Sequence, residues 1–261
     1  MPKIFHNAIK NPKRAGRPSR HPVEKFRVKA WYALVADSAM THDPTSLEQL
    51  FQPEHFQSDR AGKIGANRNW DKYRDGSRSP RAKPGKKGQI SLVERVGKRY
   101  DLTQWLFEHP VWAVITVDDP SIELIRPFLM AVKSTVRDYY WDGFAISGAD
   151  PNAVKSGFLD AIGEKIWINR GDLQSALDHL AICVLILRIK DLPLALDMPE
   201  VIHRNIVKTL GPIAESSPFC GIYEEFFDWL EGNIWNGQLE YYCSARGDIA
   251  GGWRETMGDW C

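Results

Sequence analysis

The residues of this 261-residue sequence that could do chemistry fall into two groups: acid, base and metal-binding side chains, and donors suited to a polyanion. The first group is sparse. Asp118-Asp119 and the pair Asp138 and Asp142 are the carboxylates close enough together to hold a divalent cation in a nuclease. Asp118-Asp119-Pro120 also reads as a loop leading into a helix cap, and Asp138 and Asp142 stand one helical turn apart without a third acid at a telling spacing. No Gly-x-Ser-x-Gly elbow is present, and Gly85-Lys86 lacks the glycine that opens a Walker-type phosphate loop. His109 and His179 stand alone. The four cysteines, Cys183, Cys220, Cys243 and Cys261, include no C-x-x-C pair and have no histidine at zinc-ligand spacing. The expectation is therefore a non-enzymatic protein without metal or cofactor, with a metal-dependent nuclease as an alternative.

The second group is dense. In the stretch Asn67 to Pro80, Arg68 and Lys72 lie four apart, off the face shared by Trp70 and Tyr73, with Asn69 beside them. Arginine and asparagine can form bidentate contacts with guanine and adenine edges in a major groove. Lys72, Arg74 and Arg78 suit phosphates, which position a protein without reading sequence. Arg81, Lys83, Lys86 and Lys87 follow in a Pro- and Gly-containing loop over residues 77–89, a cationic finger. Arg14, Arg17 and Arg20 lie in the segment 1–22, which holds four prolines, six basic residues and no apolar period. That segment reads as an extended or disordered arm.

Within this stretch Trp70, Tyr73, Gly76 and Pro80 form a W-x-x-Y-x-x-G-x-x-x-P pattern. It resembles the recognition helix and exit turn of helix-turn-helix domains of the lambda-repressor/Cro type. The resemblance covers residues 45–100 and implies that Thr45 to Phe51 is the first helix of the pair and that duplex DNA is the ligand. The link from Phe51 to Asn67 is longer than the tight turn of that family, and the loop at 81–89 is an insertion, so the implied domain is an expanded one. The arm's Gly16-Arg17-Pro18 resembles the centre of AT-hook and recombinase-arm sequences, which lie in narrow minor grooves, although Ala15 stands where an arginine is usual.

Elements must position these donors. A helix is expected from about Val23, with Phe26, Ala30, Trp31, Leu34 and Val35 on one face. Asp43-Pro44 caps a short helix whose Leu47, Leu50 and Phe51 point inward. The helix over 67–75 stops at Gly76, and Ser91 caps another from Leu92 to Tyr100, with Glu94 in capping-box position. Val111 to Val117 is too short a run to decide between strand and buried helix. Further helices are expected over 122–139, 154–166, 172–187, 201–210 and 219–235. The 172–187 helix is apolar nearly all round at its centre and reads as the middle of a bundle.

Charge divides the chain. Residues 1–100 carry 22 Lys or Arg against 9 Asp or Glu, a net of +13; residues 101–261 carry 12 against 24, a net of −12. The fold expectation is mainly α: a basic flexible arm at 1–22, a small basic helix-turn-helix-like domain at 23–100, and an acidic helical bundle at 101–261 for oligomerisation or partner contact. The longest apolar run, Leu180 to Leu187, is far short of a membrane span, no signal peptide is visible at the N-terminus, and the expected location is cytoplasmic. The expected function is duplex DNA binding, favoured over RNA, in a regulator or subunit of a prokaryotic nucleoprotein complex. A protein-interaction or scaffold subunit of a larger assembly is the other alternative.

Overall fold

The computed structural model describes residues 20–56, 68–82, 90–117, 172–188 and 209–235, with positions 120, 128, 130–132 and 206. Of these residues 74% are helical and none lies in a strand, so the chain is mainly α. Two units emerge. One takes in Gly16–Trp112 with Ser217–Ile222; the other takes in Met1–Ala15, Ala113–Ser216 and Tyr223–Cys261.

The first unit is built around α1, Pro22–Ser38. Pro22 at its first position needs no hydrogen-bond acceptor, and the His21 ring accepts from the Val23 amide at 3.3 Å. The expected stripe is broader than one face: Val28, Tyr32 and Ala36 are buried as well, while Leu34 is only half-buried. The cause is that α1 is surrounded. The helices α3 (Asn69–Arg74), α5 (Asp101–Glu108) and α8 (Ser217–Cys220) all pack against it.

Helix α2, Pro44–Phe51, starts as expected, with the Asp43 carboxylate accepting from the Ser46 amide and hydroxyl at 2.8 Å each. Those bonds hold the Asp43 carboxyl below the usual carboxylate range. The cap is therefore complete above that range and is lost only as pH falls through the lowered value. Leu50, expected inward, is exposed instead, and Glu48 is buried in its place. The contact face is rotated because Glu48 is drawn in by His55 of the following 3-10 turn, Pro53–Phe56, whose Nδ1 lies 2.8 Å from the Glu48 Oε1.

Helix α4, Leu92–Gly97, takes its cap from Ser91, whose hydroxyl accepts from the Glu94 amide at 3.0 Å. The Glu94 carboxylate lies 3.6 Å from Lys98. The expected helix to Tyr100 is interrupted there, because Tyr100 becomes the cap position of α5, which packs against both α4 and α1. The compact basic unit thus runs past the change of charge at residue 100. The undecided run after Pro110 is a helix, α6, Pro110–Thr116, within which the chain passes from one unit to the other.

In the second unit α7, Leu173–Arg188, is capped by Asp172, which accepts from Ser175 N at 3.0 Å. Its residues 176–185 are buried on every side, as the apolar run requires. Arg188 donates to the carbonyls of Val114 and Ile115 at 2.9 and 2.6 Å, satisfying α6 carbonyls that have no amide of their own helix to accept from. The expected helix over 219–235 is three pieces: α8, then α9 (Tyr223–Leu230), then a π-helical turn at Glu231–Trp235. The expected helix at 201–210 is described only at 206, 209 and 210, which are helical and continue to 214. The expected helix at 154–166 and almost all of that at 122–139 lie outside the described residues. No helix among the described residues is long and apolar enough to cross a membrane.

Candidate nucleic-acid interface

The stretch 68–81 is held by its aromatic side. Trp70 is sandwiched between Trp31 (ring centroids 5.7 Å, 27° between planes) and Phe51 (5.6 Å, 20°). Tyr73 meets Trp31 and Trp70 edge-on at 5.9 and 5.7 Å. Each such pair contributes about 0.5–1.5 kcal/mol beyond the area it buries. The Trp70 indole N–H donates to Gln52 Oε1 at 3.0 Å, and the Gln52 amide nitrogen lies 3.4 Å from His55 Nε2, which joins Trp70 through His55 to Glu48. A six-residue helix of fewer than two turns is thereby locked to α1, α2 and the 3-10 turn.

Gly76 ends α3 with φ +68°, the left-handed conformation expected of a helix-stopping glycine. A Cβ there would stand 2.9 Å from the Lys25 carbonyl oxygen and 2.7 Å from Lys25 Cγ, so glycine also permits the close approach to α1. The Ser79 hydroxyl donates to Glu24 Oε1 at 3.2 Å, and Glu24 also pairs with Arg27. Pro80 is buried.

The outer side of this stretch carries the cations. Arg68, Lys72, Arg74, Arg78 and Arg81 are all exposed. Arg74 is engaged by Asp71 at 3.3 Å and Asp75 at 3.4 Å. No carboxylate of the described residues pairs with Arg68, Lys72, Arg78 or Arg81. Asn69, expected to read bases, is buried, and its Oδ1 accepts from Arg78 at 2.6 Å. Arg78 and Arg81 also lie close enough to Tyr73 to oppose the upward push that burial gives its hydroxyl.

Sequence reasoning missed two neighbours. Lys25 and Lys29 of α1 lay their side-chain stems against Gly76, with Lys29 Cγ 3.2 Å from a Cβ built there. Their spacing of four off the apolar face was a visible signal, but only folding brings them to the turn. Arg20 is exposed just before α1; Arg14, Arg17, Lys83, Lys86 and Lys87 lie outside the described residues.

The residues weighed for catalysis are placed as follows. Asp118, Asp119, Asp138 and Asp142 lie outside the described residues. His109 is buried, its Nδ1 accepts from the Val111 amide at 3.1 Å, and its ring meets Trp105 edge-on at 4.8 Å. Cys183 is buried and Cys220 is exposed. Among the described residues no three His, Cys, Asp or Glu are grouped to hold a metal.

Compared with protein-family models, with curated proteins and with solved structures, the chain matches none.

Proposed function

We propose that this chain is a nucleic-acid-binding protein without catalytic activity, which takes duplex DNA on the exposed side of residues 68–81 and serves as a regulator or subunit of a nucleoprotein complex. The observation that carries this reading is the pairing of opposites on one short stretch. Its inner side is locked into an aromatic core, and its outer side presents Arg68, Lys72, Arg78 and Arg81 without a carboxylate partner among the described residues. Phosphates that meet such exposed cations release their condensed counterions, and that release favours binding. The arm and the 81–87 loop add sequence-independent attraction, in keeping with the net +13 of residues 1–100.

The test is a salt titration of binding by the full chain to duplex DNA, single-stranded DNA and RNA. Four phosphate contacts give a slope of log K against log salt of roughly −3 to −4 on duplex. Tightest binding to the duplex supports the reading. Absence of binding at low salt to all three would end it.

A further inference from the structure

We infer that Arg78 is the fixed phosphate anchor of this surface and that the buried Asn69 is its positioning residue. The inference rests on the nucleic-acid reading above. Of the exposed cations at 68–81, Arg74 is neutralised by two aspartates, while Arg68, Lys72 and Arg81 have no side-chain hydrogen bond among the described residues. Arg78 differs from both. Its NH1 donates to Asn69 Oδ1 at 2.6 Å, and its own amide donates to the Lys72 carbonyl at 3.2 Å.

The Asn69 amide is neutral, so the bond orients the guanidinium without cancelling its charge. Asn69 is itself fixed, being buried at the start of α3 next to the sandwiched Trp70. One guanidinium nitrogen is taken, and the Nε–NH2 edge remains intact as a two-donor fork, the geometry that matches two oxygens of one phosphate. A fork held before binding has less rotamer freedom to lose on contact. Arg78 sits on the exit turn beyond Gly76, where a backbone phosphate rather than a base edge is the acceptor for a side chain already bent back to its own helix. The side chain expected to read a base thus holds the side chain that grips the backbone.

The experiment measures fluorescence anisotropy of the full chain on two short duplexes, one all A·T and one all G·C, across a range of salt. Asn69→Ala should weaken binding about two- to tenfold, equally on both duplexes, at an unchanged salt slope, because no charge is removed. Arg78→Lys should show a similar loss, since charge without the fork does not restore it. Arg78→Ala should lose more and make the slope shallower by roughly 0.9. Asn69→Ala added to Arg78→Ala should cost nothing further. Wild-type affinity in Asn69→Ala or Arg78→Lys would overturn the inference. So would a further loss in the double variant, which would mean Asn69 acts on the fold, or a loss confined to G·C duplex, which would mean a base contact. Arg78→Lys, at an exposed position, keeps the inference testable if Asn69→Ala does not fold. Failure of the wild-type chain to bind either duplex would instead strike the functional reading itself.

Discussion

Gly76 concentrates two demands on one residue. Its φ of +68° is open to glycine at no steric cost, and its missing side chain admits the Lys25 carbonyl. Gly76→Ala should therefore destabilise the protein by more than the ~1–2 kcal/mol that the left-handed conformation alone costs an L-residue, because the Lys25 carbonyl is backbone and cannot swing away. Chemical denaturation measures this; a loss below about 0.5 kcal/mol, as for an ordinary surface change, would contradict the geometry. The sequence shows this glycine plainly, because a helix stop is a local property. It does not show that Asn69 is turned inward. Asparagine and arginine at neighbouring positions look alike as exposed donors, and the burial of one is decided by the packing around α3, where it accepts from Arg78 nine residues on.

At the scale of elements the same division holds. The beginnings of α2 and α4 are legible because a cap is settled within four residues. Ser91→Ala removes the hydroxyl that accepts from Glu94 and should cost about 1 kcal/mol, read as a shift of the urea midpoint at constant slope; an unchanged midpoint would mean that the cap contributes nothing. The inward face of α2 is less legible. Leu50 obeys the apolar period, yet the helix is rolled toward Glu48 by its bond to His55, a partner outside the helix. Arg95 of α4 is likewise engaged from a distance, donating to the Phe51 carbonyl at 2.9 Å and to Glu54 at 2.6 Å. Burial alone would raise the Glu54 carboxyl, but the Arg95 bond and charge bring it below the usual carboxylate range. Among the described residues of 68–99, three cations, Arg74, Arg95 and Lys98, thus hold carboxylates of their own unit and are not to be counted toward a ligand.

For the whole molecule, the charge split at residue 100 is a fact of sequence that the compact units do not follow. Helix α5 and the segment 217–222 belong with the basic unit, although both come from the acidic part of the chain. The first acid response, above the range of the lowered carboxyls Asp43 and Glu54, should come from the other unit. Burial in α7 pushes His179 down to about 4, against the opposite pull of Asp178 and Asp172. The unfolded chain then takes up a proton that the folded one refuses as pH falls from about 6.5 to about 4. Stability is full above this window and is lost through it, by on the order of 3 kcal/mol for this group. Denaturation midpoints of the wild type and His179→Gln, compared from pH 7 to pH 4, should diverge in that window, the variant falling less. Parallel curves would exclude His179 as the cause.

The place of α8 in the basic unit has a consequence for how the protein is made. Phe219 is fully buried and stacks on Trp112 at 6.2 Å, and α8 lies against α1. Roughly a hundred residues separate Trp112 from Phe219 along the chain, which a ribosome adds in about 5–20 s. Throughout that interval the nascent unit has its α1 and Trp112 but not the helix that covers them. The basic unit is therefore finished after most of the acidic half has been synthesised, and a growing chain must keep an apolar surface out of trouble until residue 222 has emerged.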